Sequence, residues 1–156
     1  MKYISILAVF LIVSLALPLA AQQKKPADDM NAAREALRTQ KKALVTENMQ
    51  LTESEAKAFW PVYEEYQTDM EVIGNRMVRL VENYGATHKV MTDDTARKLL
   101  KESISIQGDR VKLQEEYLPK FEKVLPMTKV ARYYQIENKF RAAVDSDVTS
   151  KIPLVE

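Results

Sequence analysis

Side chains able to carry chemistry are few in this chain. It has one histidine, His88, and no cysteine. Zinc, nickel and copper commonly take several His or Cys ligands, so a single imidazole predicts no intrachain site of that type. A site shared between subunits, in which His88 is joined by carboxylates or methionines, is the alternative. The Glu-x-x-His spacing of di-iron bundles is absent, because Gly85 lies three residues before His88. Glu64-Glu65, Asp93-Asp94 and Glu115-Glu116 are adjacent carboxylates. Neighbours on a helix point about 100° apart, so these pairs read as a solvated face rather than as an acid and a base. The chain has no Gly-x-Ser-x-Gly elbow, no thiol nucleophile and no phosphate-binding glycine loop. The expectation is a non-enzyme, with no catalytic, metal-ligating or cofactor-binding residue assigned and no cofactor.

The elements that would position any site are written in the composition. The chain has 156 residues, only 3 of them glycine and 6 proline. That scarcity of glycine disfavours hairpin-rich sheets. Lys and Arg number 23 against 22 Asp and Glu, a balance that leaves no electrostatic footprint for nucleic acid. The first residues have the three-part layout of a secretory signal: Lys2, an apolar run from Ile4 to Leu17, then Pro18 and the small residues Ala20-Ala21. The apolar run is short for a spanning helix. The reading is a signal peptide over 1–21 cleaved after Ala21, a flexible leader over 22–27, and a single helical domain over 28–156. Cleavage removes Lys2 and no acid, leaving the processed chain without net charge. With no disulfide to staple it, that domain is held by packing alone.

Helical periodicity dominates the rest. A first helix starts at Asp28 or Asp29 and runs to about Val45, with Met30, Ala33, Leu37, Leu44 and Val45 on a weak apolar side. Thr52 and Glu55 form a capping box for a second helix, with Leu51 before the cap. Phe59, Tyr63, Tyr66, Met70, Ile73, Met77, Leu80 and Tyr84 then recur at alternating spacings of four and three, an a/d seam sustained for nearly four heptads. Gly85 is the expected stop and Pro61 an expected kink. Thr92 caps a third helix whose apolar side is read as Leu99, Leu100, Ile106, Leu113, Tyr117, Phe121, Val124 and Leu125. Pro126 is expected as the first residue of a fourth helix ending near Val148, followed by an apolar tail, Ile152-Pro153-Leu154-Val155, that docks on the bundle or on a partner. Two long helices joined by a short connection pack antiparallel. The predicted fold is all-α: an elongated antiparallel helical hairpin with flanking N- and C-terminal helices, about four in all.

Certain of these residues carry a resemblance. Leu51-Thr52-Glu53-Ser54-Glu55-Ala56-Lys57, followed by Phe59-Trp60-Pro61-Val62-Tyr63-Glu64-Glu65-Tyr66, resembles the Spy/CpxP-like family, whose mark is a repeated Leu-Thr-x-x-Gln motif. Met91-Thr92-Asp93-Asp94-Thr95-Ala96-Arg97 is a fainter second copy. Val124-Leu125-Pro126, the segment from Ala131 to Lys139 and the Ile152–Val155 tail are similar to the later part of uncharacterised members. Glu55 and Thr95 stand where the motif has glutamine. The resemblance implies a small all-helical periplasmic protein: an ATP-independent chaperone, an envelope-stress adaptor or a metal-responsive protein.

The aromatic and methionine seam is read first as core. An elongated hairpin also leaves apolar surface uncovered. Trp60, Met70 and Met77 are the candidates to line a protein-binding groove, since soft Met and amphipathic aromatic side chains suit varied apolar partners. Arg76, Arg79, Lys98, Lys101 and Arg110 would attract acidic partners along its edge; their plainer reading is ordinary solvated helix charge. The expected function is an exported, ATP-independent binding protein, a periplasmic chaperone or stress adaptor that holds partly unfolded or partner envelope proteins and pairs as a homodimer. The alternative is a metal-responsive sensor or adaptor without catalytic activity. No nucleic acid is expected as a partner, and the membrane is met only through export.

Overall fold

The computed structural model describes residues 26–155, with side chains described from Ala32 onward. The expected signal peptide and most of the expected leader lie outside the described residues. The chain divides into two units, 1–36 and 37–156. In the first, the described residues are helical from Pro26. The packing below is that of the second.

Four helices follow in order: α1 (Pro26–Met49), α2 (Glu53–Thr87), α3 (Asp93–Glu122) and α4 (Met127–Lys151), with one 3₁₀ turn, His88–Val90, between α2 and α3. The described residues contain no strand, as the composition predicts. Cross-links between α2 and α3 run in opposite chain order, from Glu65–Lys120 through Asp69–Tyr117 to Arg76–Glu102, so the two form the expected antiparallel hairpin. At 35 residues α2 is about 52 Å long.

The helix starts follow the sequence closely. Thr52 Oγ1 accepts from the Glu55 N–H, and the Glu55 carboxylate accepts from the Thr52 N–H at 2.8 Å, completing the capping box. Thr92 accepts from the Thr95 N–H in the same way, and Asp93 and Asp94 occupy the electropositive first turn. Both internal prolines, Pro61 and Pro119, lie inside their helices without ending them.

The helix ends depart from expectation for identifiable reasons. Gly85 does not stop α2, which continues to Thr87, and no glycine has a positive φ. The late carbonyls of α2 find other donors: Thr87 Oγ1 donates to Asn83 O, the His88 N–H to Tyr84 O and His88 Nδ1 to Gly85 O. A left-handed cap is therefore unnecessary. α1 begins at Pro26, where a proline's missing N–H costs nothing, and runs past Val45 to Met49. Val45 and Met49, one helical turn apart, are both fully buried. Gln50 then turns the chain with φ 48°. Pro126 is the N-cap of α4 rather than its first residue, its carbonyl accepting from the N–H groups of Lys129 and Val130. Of the tail, Ile152 is half-buried and Tyr84 Oη donates to Pro153 O at 2.6 Å. Leu154 remains 88% exposed, so the expected docking reaches only as far as Pro153.

The core gathers at one end of the hairpin. Phe59 of α2, Phe121 of α3 and Tyr133 of α4 meet there with ring centroids 4.7–5.8 Å apart. Tyr63, Tyr66, Tyr117, Val45, Met49, Leu125, Val130 and Ile136 complete the cluster. The α2 seam is its spine: Phe59, Tyr63, Tyr66 and Ile73 are buried, and Met70, Met77, Leu80 and Tyr84 are half-buried farther along. Gly74 and Gly108 are helical and have open space where a Cβ would stand. Gly74→Ala and Gly108→Ala should each stabilise the fold by roughly 0.5–1 kcal/mol in denaturant titrations. Phe121→Ala should destabilise it by about 3–5 kcal/mol in the same measurement.

Candidate functional site

Two flanks of the bundle carry ordered polar chemistry, and each has a separate origin. On the first, α2 presents Glu65, Asp69 and Arg76 to α3. Lys120 pairs with Glu65 at 3.0 Å and Tyr117 Oη donates to Asp69. Arg76 is the centre of this flank. Its Nε and one terminal nitrogen donate to the two oxygens of Glu102, at 2.9 and 3.2 Å. Its other terminal nitrogen donates to Asp109 at 2.6 Å. Ser105 accepts as well. These hydrogen bonds raise the Arg76 pKa and hold the Glu102 and Asp109 carboxyls below their usual range.

The second flank is drier. Lys41 of α1 pairs with Glu137 of α4 at 2.8 Å, the side chains only 14% and 7% exposed. Lys41 also donates to Gln67 Oε1, and Gln67 Nε2 donates in turn to Tyr133 Oη and Glu137 Oε1. Tyr133 Oη donates to Glu137 Oε1 at 3.2 Å. The four side chains form a closed network whose donors and acceptors satisfy one another. Burial pushes the Tyr63, Tyr66 and Tyr133 hydroxyls well above their ordinary range, with the Glu137 charge adding to it. Tyr134 is pushed up to about 12, again chiefly by burial. These phenols stay neutral at physiological pH and supply neither base nor nucleophile. Tyr63 Oη is buried without a hydrogen-bond partner among the described residues. At the rim, Glu64 receives Arg38 at 2.8 Å and Lys42 at 2.5 Å. Hydrogen bonds from Lys42 and then Arg38 hold its carboxyl below the usual range.

The sequence-predicted binding residues are distributed over this framework. Trp60 is half-buried, edge-on to Phe59 and Tyr63 with centroids 5.2 Å away, and the Lys42 ammonium lies 5.2 Å from its ring. Met70 packs on the aromatic cluster, and Met77 continues the seam half-buried. Arg76 is engaged by α3, and Arg79, exposed, adds to the positive field at Glu102. Lys98 pairs with Asp94 one turn away, and Lys101 is exposed. Arg110 is half-buried and faces Asp145 of α4 at 3.9 Å. The fold thus brings Trp60 and Met70 to the core and Arg76 and Arg79 to the α2–α3 flank, while Arg110 turns toward α4.

A different surface emerges on α3. Leu100, expected on the apolar side, is 63% exposed; Ile104 and Val111 are 61% and 52% exposed. Spacings of four and seven residues place these three in one stripe. The buried face of α3 carries Ile106, Tyr117 and Phe121 instead. Ile104 and Val111 were legible only as a second, weaker helical repeat beside the main one. Arg97, Lys98 and Lys101 are exposed near its start, and Glu115 and Glu116 near its end. His88 is half-buried and stacks on Tyr84 at 5.8 Å. Among the described residues no group of three or more His, Cys, Asp or Glu is placed to hold a metal ion, and no helix is long and apolar enough to cross a membrane.

No family model, curated protein or solved structure matches the chain.

Removing one partner of the dry ion pair leaves the other charge uncompensated. Lys41→Met should therefore cost about 3–5 kcal/mol. The double variant Lys41→Met/Glu137→Leu should recover most of that loss, as a double-mutant cycle in urea would measure. Glu64 has a pKa lowered by folding, so its contribution is fully present above the ordinary carboxylate range and is lost as pH falls through the lower folded value. Stability profiles in acid should accordingly be shallower for Glu64→Gln than for the parent.

Proposed function

We propose that this protein is an exported, ATP-independent binding protein that holds partly unfolded or partner envelope proteins on the outer face of the α2–α3 hairpin. The observation that carries this reading is the α3 stripe of Leu100, Ile104 and Val111, each more than half exposed. Single exposed apolar residues are ordinary, whereas an aligned set rimmed by charge is a surface that binds. The exposed Arg97, Lys98 and Lys101 at one end and Glu115 and Glu116 at the other give such a surface electrostatic steering for chains of mixed charge. Retention would then come from apolar contact.

Export rests on the Lys2, Ile4–Leu17 and Ala20-Ala21 pattern, which also supports a periplasmic location. The absence of cysteine from the chain means that neither folding nor binding there depends on a thiol. The resemblance of Leu51–Tyr66 to Spy/CpxP-like proteins supports the same reading, and self-association as a homodimer belongs to it. The polar networks are engaged within the bundle. They serve this function as a frame, holding α3 against α2 on the side away from the stripe.

Light scattering of a denatured client enzyme, mixed with the purified protein in stoichiometric excess and without nucleotide, tests the proposal. Aggregation should be suppressed. Ile104→Lys combined with Val111→Glu should weaken that suppression roughly tenfold, the scale set by losing two apolar contacts. Circular dichroism should be unchanged, because both positions lie outside the core. Absence of suppression by the parent protein removes the chaperone reading.

A further inference from the structure

We propose that the junction of α1 and α2 with α4 is a binding site for a small phosphate-type oxyanion. A cavity of about 330 Å³ opens there, lined by Asn48, Gln50, Arg132, Gln135, Ile136 and Lys139. Arg132, Gln135, Ile136 and Lys139 follow the i, i+3, i+4, i+7 pattern and therefore share one face of α4. Arg132 and Lys139 are two turns apart, about 10.5 Å along the axis. Across from them, the left-handed Gln50 follows the end of α1 and lines the opening with Asn48, whose Nδ2 donates to Leu44 O at 2.8 Å. Ile136, only 8% exposed, provides an apolar floor.

The lining of this cavity is positive. Its lining contains two cations and no acid. Neither Arg132 nor Lys139 has an ion-pair or hydrogen-bond partner among the described residues, whereas Lys41, Lys42, Arg76, Lys120 and Lys129 are all matched by carboxylates. Two acids of the elements that meet here, Glu137 and Glu55, are engaged by other groups. Glu137 is held inside by Lys41, Gln67 and Tyr133, and Glu55 by Lys129 and the Thr52 N–H. The Gln50 carbonyl, which would repel an anion, accepts from the Lys129 ammonium at 3.1 Å. The lining then offers a guanidinium fork, an ammonium and the Gln50 and Gln135 amides around a space open to solvent. Two positive charges with several N–H donors match a tetrahedral dianion with three or four oxygens better than a carboxylate with two.

Isothermal titration of the protein with sodium phosphate at low ionic strength tests this site, supported by backbone amide shifts in NMR. One saturable equivalent is expected, with shifts confined to residues 48–51 and 132–139. Arg132→Gln and Lys139→Gln should each weaken binding roughly tenfold, the loss of one charge-assisted hydrogen bond, and together should abolish it. Lys89→Gln, in the 3₁₀ turn at the opposite end of the hairpin, should bind as the parent does. Sulfate should compete with phosphate. The proposal is overturned by non-saturable binding, by a double variant that binds as well as the parent, by shifts centred elsewhere, or by acetate binding as tightly as phosphate. All three substituted side chains are solvent-facing, and unchanged circular dichroism separates loss of binding from loss of fold.

Discussion

Three aromatic rings from three helices, Phe59, Phe121 and Tyr133, meet within 6 Å of one another, and the arrangement of the bundle follows from that contact. Offset and edge-on ring pairs gain beyond the area they bury, and here they also set which face of each helix points inward. Once Phe59 is inside, the four-three spacing carries Tyr63, Tyr66 and Ile73 inside with it. Once Phe121 is inside, Tyr117 and Ile106 follow on α3. Leu100, Ile104 and Val111 are then turned outward by the same geometry. Core and exposed stripe are two consequences of one choice of helix rotation.

The aromatic cluster brings tyrosine hydroxyls and a glutamate into a dry region, and that has a cost. Unpaired polar groups there would lose several kcal/mol of hydration. The Lys41–Gln67–Tyr133–Glu137 network offsets this by closing on itself. It also fixes where the later turns of α1 lie, because Lys41, Lys42 and Arg38 reach carboxylates on both α2 and α4. Apolar burial of Val45 and Met49 holds the end of α1, and charge holds the turns before it.

Charge elsewhere on the bundle divides into two kinds. Arg76 is fully engaged, so its charge organises α2 against α3 and is not free for a partner. Among the described residues Arg132 and Lys139 have no ion-pair partner, and both line one cavity. The difference between cations that build the fold and cations that face outward lies in what stands opposite, and this separates the structural flank from the surfaces open to ligands.

Residue order alone determined the all-α architecture, the hairpin and its caps, because those depend on local quantities: the apolar spacing around Phe59–Tyr84, the Thr52–Glu55 box and the Thr92 cap. Contacts distant in sequence decided the remainder. Gly85 looked like a stop, but Thr87 and His88 supplied the hydrogen bonds that made one unnecessary. Leu100 looked like core, but a helix with two apolar stripes can bury only the one its neighbours meet, and α2 and α4 meet Ile106, Tyr117 and Phe121. Arg76 and Arg132 are indistinguishable as letters in a string. Only folding placed Glu102 and Asp109 against the first and, among the described residues, no acid in contact with the second.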